Sequence, residues 1–390
     1  MIDLERRALL PAGLRDILPP EAAFEAQICE TLAAGFGGHG YERVKPPLVE
    51  FENSLISGAG AAVSADTFRL MDPVSQRMMG VRADMTTQVA RIALTRLTDM
   101  PRPLRLSYTG EVLRVGGTQL RPERQFAQVG AELIGVESVE ADIEIIAIAV
   151  GSLREIGVPY LSVDLTIPPL VPALMKSMAL SDEEYGTLRN ALDRKDVGAV
   201  REYGGQQAEA LCSLMDGTGP AAAAVDALSD LSLPEPPATE LERLRVVVEG
   251  LGHRLPDLDI TVDPVENRGF EYHTGVGFTF FSSGERGEIG SGGRYVATLN
   301  GAEAGDDNGE AATGFTLYVD NIMRVLPVPQ QRSRIYVPPG VPADDLKDLR
   351  SDGWVTVAGL NETVNSSVEA RRLKCSHVWN LGRAEPLEQG

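Results

Sequence analysis

Two stretches with a strand pattern constrain the fold most strongly. Residues 105–114 (RLSYTGEVLR) and 124–135 (RQFAQVGAELIG) flank an arginine-bearing loop over 115–123. In the second stretch Gln128 and Glu132 are spaced so that a strand directs both side chains to one face. The adjacent residues are apolar, and a polar side chain on an inner face is costly unless it meets a ligand or another polar group. The pattern predicts either a sheet that floors a polar pocket or a sheet surface that faces solvent.

Residues 267–281 read NRGFEYHTGVGFTFF and concentrate aromatic side chains in a chain that is only 5% aromatic. The residues alternate here with the period of a strand, and the glycines allow a close approach to the backbone. We interpret the stretch as a strand that either belongs to the core or walls a pocket. Further polar residues on predicted strands of the same antiparallel sheet are Asp84, Arg114, Arg268 and Arg294. Together with Gln128 and Glu132, they indicate a shared binding site rather than a random polar surface.

Helix and strand patterns divide the chain into a core, residues 1–326, a linker, 327–333, and a small α/β domain, 334–390. Inside the core, residues 168–250 are rich in alanine and helical in pattern, with a capping box from Ser181 to Glu184, and predict an inserted helical subdomain. The other predicted core elements are helices over 21–36, 86–97 (capped by Thr86 or Thr87), from 138 onward and over 314–326, strands over 41–51, 160–166 and 258–264, a hairpin over 67–81, glycine-rich turns over 290–293 and a mobile loop over 301–313.

Charge and composition restrict the classes of function. The chain has 56 acidic and 36 basic side chains, and its net charge of −20 repels phosphate backbones. Cys29, Cys212 and Cys375 are scattered, and only four histidines occur, which argues against a disulfide framework and a metal site. The glycine motifs of nucleotide-binding loops do not occur, so no cofactor is predicted. No apolar run reaches about 18 residues, and the charged N-terminus does not resemble a signal peptide, so we expect a cytoplasmic protein that has no membrane partner.

The order of these segments resembles the catalytic core of histidyl-tRNA synthetases, a class II aminoacyl-tRNA synthetase fold, over residues 10–326. YERVKPPLVEF (41–51) resembles motif 1, which has a proline at the dimer interface in the family. SYTGEVLR and RQFAQVGAELIG together resemble motif 2, and NRGFEYHTG and GSGGRYVATL resemble the two histidine-specific signatures. The resemblance implies an α+β fold: a class II synthetase-like antiparallel sheet flanked by helices, with the helical insertion and the small C-terminal α/β unit. It also implies a dimer formed through the motif 1 region.

The resemblance further implies a histidine pocket walled by the aromatic residues. The resemblance assigns nine residues to three groups of the ligand. Asp84, Thr86 and Gln128 would hold the α-ammonium group, and Arg114 and Arg268 would face the carboxylate. Glu132 would contact the imidazole, with Tyr272, His273 and Tyr295 around it. These residue types suit the ligand, because an ammonium group needs carboxylates, a carboxylate needs a guanidinium and an imidazole needs an acceptor within an aromatic enclosure.

Several positions depart from the synthetase pattern where ATP binds. Motif 3 of active synthetases ends in a Glu-Arg pair whose arginine clamps ATP, and here Asp320 and Asn321 stand at those positions. Tyr318 replaces a glycine beside the nucleotide pocket, and Gly116 stands where an ATP-contacting glutamate is expected. The loss of one charge-stabilising donor typically costs about 3–4 kcal/mol of barrier, so we expect no adenylation. The tail after Gln330 is shorter than the family's anticodon-binding domain, so we also expect no tRNA partner.

An amino-acid pocket without the ATP and tRNA functions is typical of the regulatory subunits of ATP phosphoribosyltransferase. RADMTTQVARI, with Asp84 where synthetases have glutamate, and the histidine of EYHTG resemble that family. The resemblance implies a non-catalytic subunit that binds L-histidine and regulates the short-form catalytic subunit, in a hetero-oligomer, at the first step of histidine biosynthesis. Two alternatives stay open: an active histidyl-tRNA synthetase and a stand-alone histidine-binding paralogue.

Overall fold

The structure is a computed structural model that describes residues 10–56, 64–118, 121–176, 178, 180–229, 231–266, 272–299 and 309–387. Its helices are Glu21–Gly38 (α1), Glu52–Leu55 (α2), Thr86–Arg96 (α3), Val139–Glu155 (α4), Leu170–Lys176 (α5), Asp182–Asp193 (α6), Val197–Tyr203 (α7), Ala208–Asp216 (α8), Ala221–Ser229 (α9), Pro237–Arg254 (α10), Val319–Val325 (α11), Ala343–Ser351 (α12) and Ser366–Arg372 (α13). None of the helices in these ranges is long and apolar enough to cross a membrane.

The strands are Glu42–Arg43 (β1), Val49–Phe51 (β2), Arg69–Met71 (β3), Met78–Val81 (β4), Leu104–Leu113 (β5), Gln125–Ile134 (β6), Leu161–Thr166 (β7), Gly219–Pro220 (β8), Asp259–Asp263 (β9), Gly277–Ser282 (β10), Gly290–Ala297 (β11), Glu310–Tyr318 (β12), Arg334–Val337 (β13), Val355–Ala358 (β14), His377–Asn380 (β15) and Arg383–Pro386 (β16). The chain divides into two compact units, Met1–Pro327 and Val328–Gly390.

A nine-stranded sheet forms the centre of the first unit, with the strand order β1-β5-β6-β12-β11-β10-β7-β9-β8. Strand β1 pairs with β5, and β7 with β9, in parallel; every other neighbouring pair is antiparallel. The sheet is therefore mixed at its ends and antiparallel across its centre, where the predicted site residues lie. A separate three-stranded antiparallel sheet has the order β2-β4-β3.

The two faces of the large sheet have different chemistry because side chains alternate along each strand. Val129, Ala131 and Leu133 of β6 belong to the main hydrophobic core, together with buried residues of α1 and α4. Gln128 and Glu132 alternate with them and point to the opposite face, as the sequence predicts. Residues of α3 pack in a second, smaller core with Tyr108 and Tyr295 of the sheet. Burial of one large apolar side chain stabilises the fold by about 1.5–3 kcal/mol, so the larger core holds the sheet in place beneath the polar residues.

The helical insertion predicted for residues 168–250 is present as α5 to α10, spanning Leu170–Arg254 with the short strand β8 inside it. The predicted capping box is also present. Ser181 Oγ accepts from the Glu184 amide at 3.3 Å, and Glu184 Oε2 accepts from the Ser181 amide at 2.8 Å. Two orphan amides at the start of α6 are thereby satisfied.

The prediction of one strand over residues 41–51 is wrong. This segment forms β1, which pairs with β5 of the large sheet, and β2, which pairs with β4 of the small sheet. Pro46 and Pro47 separate the two strands. Proline has no amide hydrogen for a sheet ladder, so the segment leaves one sheet before it enters the other.

Three further predictions need correction in the central strands. Residues 314–318 belong to strand β12 rather than to a helix over 314–326, because they pair with β6 on one side and β11 on the other. Only Val319–Val325 is helical. The glycines of 290–293 lie in β11 instead of turns. In the aromatic stretch, Gly277–Ser282 is strand, whereas 272–276 is turn and bend, and 267–271 lies outside the described residues.

The second unit contains a four-stranded sheet of order β14-β13-β15-β16. Strand β13 is parallel to both β14 and β15, and β16 is antiparallel to β15. Two small apolar clusters, one that includes Tyr336 and one that includes Ile335, pack on its opposite sides. The alternating strand and helix signals of this segment therefore correspond to a small α/β sheet.

Candidate functional site

A small polar pocket opens over the central strands of the nine-stranded sheet. Its lining residues come from five segments of the chain: Asp84, Thr86, Glu132, Tyr272, His273, Ser291, Gly292, Gly293, Tyr295, Gly314, Phe315, Thr316 and Tyr318. The described residues enclose a cavity volume of about 50 Å³. We refer to this set as the polar pocket.

Glu132 of β6 is the buried carboxylate of the polar pocket, with only 1% of its surface exposed. Its Oε2 accepts a hydrogen bond from the Tyr295 hydroxyl at 2.9 Å, and its Oε1 accepts one from the Tyr108 hydroxyl at 3.3 Å. Burial raises the pKa of Glu132 to about 8, against the opposing effect of the Tyr295 hydrogen bond and with a further contribution from Asp84. The carboxyl group therefore holds a proton at neutral pH until a cationic group approaches it.

Glycine at position 314 creates the space for the Glu132 carboxylate. The two residues are directly opposite each other across β12 and β6. A Cβ atom at Gly314 would lie 1.8 Å from Glu132 Oε2, so the carboxylate would have to leave its position. Sequence reasoning missed this residue, although a glycine within a strand often marks a close approach.

Tyr108 of β5 lies beneath the pocket and was also missed. Its hydroxyl contacts Thr316 Oγ1 at 2.7 Å and Thr86 Oγ1 at 3.4 Å, in addition to Glu132. The ring is fully buried. A buried phenol requires hydrogen-bond partners, so this tyrosine links three polar side chains from different elements into one network. A tyrosine in the strand that pairs with β6 was the available signal.

Asp84 and Gln128, which the sequence resemblance assigns to the same ligand group, are in direct contact. Gln128 Nε2 donates to Asp84 Oδ2 at 2.9 Å, and the Thr86 amide donates to Asp84 Oδ1 at 2.8 Å. The prediction that Thr86 or Thr87 caps α3 is wrong: Met85 is the N-cap residue and provides no side-chain hydrogen bond. The Asp84 carboxylate accepts the first amide of the helix instead, which also orients it at the pocket.

Tyr272 and His273 form the aromatic side of the pocket. Their ring centroids lie 4.3 Å apart with an interplanar angle of 53°. Burial lowers the pKa of His273 to about 3, so its imidazole is neutral, and burial raises the pKa of the Tyr272 hydroxyl above its ordinary value. Neither ring brings a charge to the pocket near neutral pH.

Two arginines of the predicted polar set, Arg114 and Arg294, are not among the described lining residues of the polar pocket. Arg268 lies outside the described residues, and Arg114 lines a neighbouring cavity. Arg294 points away from the pocket and forms a buried ion pair with Asp142 of α4, with Nη2 2.9 Å from Oδ2. Its guanidinium also donates to the carbonyls of Val136 and Ser138, so its role is to attach β11 to the start of α4.

The neighbouring cavity, which we call the second cavity, has a volume of about 200 Å³. Its lining residues are Asp66, Arg114, Gly116, Gly117, Thr118, Arg121, Glu123, Gly287, Glu288 and Asn321. Asn321 is fully engaged there, because its Nδ2 donates to the Glu288 carbonyl at 2.7 Å and its Oδ1 accepts from Arg324 at 2.8 Å. Tyr318 separates the two cavities: it lines the polar pocket, and its ring is covered by Arg121 of the second cavity.

Comparison with known proteins agrees with this architecture. A family model described as histidyl-tRNA synthetase matches residues 13–322. The ATP phosphoribosyltransferase regulatory subunit of Rhodospirillum centenum is 52% identical and covers 98% of this chain and 97% of its own length. The chain belongs to this regulatory subunit family. The regulatory subunit of Rhodospirillum rubrum is 47% identical, with 95% of each chain covered.

Solved structures show the same fold. A Bacillus halodurans protein titled ATP phosphoribosyltransferase regulatory subunit/histidyl-tRNA synthetase superimposes with a TM-score of 0.77 at 24% identity, covering 93% of this chain and 96% of that one. A histidyl-tRNA synthetase from Nostoc sp. gives a TM-score of 0.76 at 18% identity, covering 95% and 90%. The α+β class II synthetase-like fold expected from the sequence is confirmed.

Proposed function

We propose that this chain is a non-catalytic regulator that binds L-histidine in the polar pocket and controls the activity of a separate ATP phosphoribosyltransferase catalytic subunit. The first step of histidine biosynthesis is the reaction concerned. The names of its relatives support the regulatory role. The arrangement of acidic groups in the polar pocket supports the ligand.

The observation that carries the proposal is the presence of two carboxyl groups, Glu132 and Asp84, without a lysine or arginine among the lining residues that the structure describes. Asp84 contributes to the raised pKa of Glu132, so the pocket disfavours a second negative charge. A ligand with two nitrogen groups that can carry protons would relieve this repulsion. L-Histidine has such groups, the α-ammonium and the imidazole, at opposite ends of a small molecule.

The roles of the individual residues follow the same chemistry. Asp84, Thr86 and Gln128 would hold the α-ammonium group, with the Asp84 carboxylate oriented by Gln128 Nε2 and by the first amide of α3. Glu132 would accept from the imidazole between Tyr272, His273 and Tyr295. Arg268 would face the ligand carboxylate. Arg114 lines the second cavity instead of the polar pocket. Its proposed contact with the ligand carboxylate would therefore have to be made beside Tyr318, which lies between the two cavities.

Calorimetry with L-histidine tests this assignment. Glu132→Ala should weaken binding by about 1.5–3 kcal/mol, the contribution of a charged hydrogen bond. Arg268→Ala should also abolish or strongly weaken binding. An unchanged affinity in Glu132→Ala would remove Glu132 from the site. Glu155→Ala, at the exposed end of α4 and not among the lining residues, is the control for loss of a carboxylate.

The second cavity supports the absence of catalysis. Asn321, which stands where the resemblance places an ATP-clamping arginine, is neutral and already bonded on both sides. The synthetase alternative predicts histidine-dependent exchange of labelled pyrophosphate into ATP, and our proposal predicts none. Exchange at the rate of a synthetase would contradict the proposal. Restoring arginine at position 321 alone should not produce exchange, because Tyr318 and Gly116 also differ.

Self-association through the motif 1 region is part of the proposal. Strand β2 of this region belongs to the small sheet, whose loops and strands expose several large apolar side chains: Leu48, Leu70, Met71, Val74 and Met78. Large apolar side chains that are exposed in one region are typical of a protein interface. Sedimentation of the purified chain should therefore show a dimer, and Met71→Lys should weaken it.

The decisive experiment measures ATP phosphoribosyltransferase activity of the short-form catalytic subunit with and without this chain, at several histidine concentrations. A change in rate and in histidine sensitivity supports the regulator. A stand-alone histidine-binding protein would leave both unchanged. If Arg268→Ala abolishes histidine binding but inhibition by histidine persists undiminished, the regulatory site lies on the partner. Histidine can regulate the partner only if it binds two conformations of the complex with unequal affinity. Hydrogen exchange of the complex over residues 290–293 and 301–313 should therefore change when histidine is added. Residues 301–308 lie outside the described residues.

A further inference from the structure

One arginine of the second cavity is held in the way that proteins hold a planar ligand. The guanidinium carbon of Arg121 lies 3.7 Å from the ring centroid of Tyr318 and 4.9 Å from that of Phe126. The two rings meet edge to face with centroids 6.1 Å apart, so they form an aromatic corner. Arg121 is only 7% exposed in this corner. A guanidinium is planar and stacks on aromatic faces much as a nucleobase does.

Charge and backbone contacts hold Arg121 in place. Its Nε lies 3.7 Å from Asp320 Oδ2, and both side chains are less than one-tenth exposed. The Thr118 amide donates to the Arg121 carbonyl at 2.7 Å, and the Arg121 amide donates back to Thr118 Oγ1 at 3.0 Å. Two residues further on, Glu123 accepts from Arg324 of α11 at 2.8 Å. The loop is thereby closed on itself and attached to the helix that carries Asp320.

Arg121 fills the corner and also lines the second cavity, which has room for more than a side chain. The second cavity offers about 200 Å³, four times the volume of the polar pocket. Arg114 also faces it, with its guanidinium carbon 5.2 Å from the Phe126 centroid. A stacking surface together with a nearby cation is the combination that binds a nucleoside or nucleotide.

We propose that Arg121 is an internal occupant of this aromatic corner that excludes purine bases from the second cavity. It determines ligand specificity by competition, because the guanidinium and a purine would need the same face of Tyr318. Asp320 strengthens the exclusion by neutralising the occupant where it is desolvated. The exclusion concerns the second cavity alone and does not depend on histidine binding in the polar pocket.

Titration calorimetry of the full chain with adenosine tests the proposal. The unmodified chain should show no saturable binding at millimolar adenosine. Arg121→Ser and Arg121→Gln, which vacate the corner, should bind adenosine at least about tenfold more tightly. Asp320→Asn keeps the arginine but removes its counter-charge and should give a smaller gain. Arg77→Ser is the matched control, because Arg77 covers the Phe51 ring at 3.6 Å outside the cavity and should have no effect.

Circular dichroism and melting temperature identify which variants remain folded. Folded Arg121 variants that bind adenosine no better than the unmodified chain would overturn the proposal, as would unmodified chain that already binds as tightly as they do. If neither Arg121 variant folds, Asp320→Asn decides: a gain supports exclusion by Arg121, and no gain overturns it. Histidine titrations of the same samples report on the polar pocket separately, so failure of one idea is distinguishable from failure of the other.

Discussion

The raised pKa of Glu132 predicts that the free energy of unfolding depends on pH in a way that one substitution removes. Glu132→Gln replaces the carboxyl group by a neutral amide of nearly the same shape. The burial that raises the pKa to about 8 in the folded chain is absent in the unfolded chain, where the group ionises near its ordinary value. The unfolded state therefore releases this proton at a lower pH than the folded state does.

The sign and size of the effect follow from proton linkage. Stability from the protonated carboxyl is fully present below the unfolded pKa and is lost as the pH rises through the folded pKa. Between these limits the loss is about 1.4 kcal/mol per pH unit. From pH 5.5 to 7.5 the ligand-free chain should lose about 2–3 kcal/mol relative to Glu132→Gln. Other shifted groups, such as His273 and Asp142, are common to both proteins and cancel in the difference.

Urea unfolding at pH 5.5, 6.5 and 7.5 measures this difference. Far-ultraviolet circular dichroism reports mainly on the larger unit, which holds most of the helices. The only two tryptophans, Trp354 and Trp379, lie in the C-terminal unit, so their fluorescence provides an internal control that should show no difference between the proteins. If the difference in the free energy of unfolding between the two proteins stays constant over this pH range, the raised pKa of Glu132 is refuted. This holds even if Glu132→Gln is less stable at every pH.

Two further outcomes are expected from the packing. Gly314→Ala should reduce the calorimetric affinity for histidine by about tenfold to a hundredfold, because a Cβ 1.8 Å from Glu132 Oε2 must displace the carboxylate. Gly186→Ala is the control: no atom lies within 4 Å of the added Cβ, so histidine binding should be unchanged. Arg294→Ala should lower the free energy of unfolding by about 3–5 kcal/mol, because it leaves the buried Asp142 carboxylate without its ion-pair partner. A loss below about 1 kcal/mol in urea titrations, which is the value of an exposed ion pair, would contradict this.

Sequence reasoning succeeded where the deciding interactions are local. The spacing of Phe24, Ile28, Leu32 and Phe36 predicted the buried face of α1, and the last three are buried, whereas Phe24 is half-buried. The capping box at Ser181 formed as expected. Sequence reasoning failed where strand pairing outweighs local preference. The segment 314–318 has a helical pattern, but pairing with strands on both sides makes it the end of β12.

The sequence by itself determined that Gln128 and Glu132 share one face of a strand, because alternation is a property of the extended backbone. Only the tertiary structure decided what they meet there. The Tyr295 hydroxyl that bonds Glu132 comes from 163 residues further along the chain, and Gly314, which makes room for it, from a third strand. The separation of Arg114 from the polar pocket and the seating of Arg121 on Tyr318 were decided in the same way. Contacts across a sheet depend on strand order and register, which arise from packing of the whole core and leave no periodic signal in the chain.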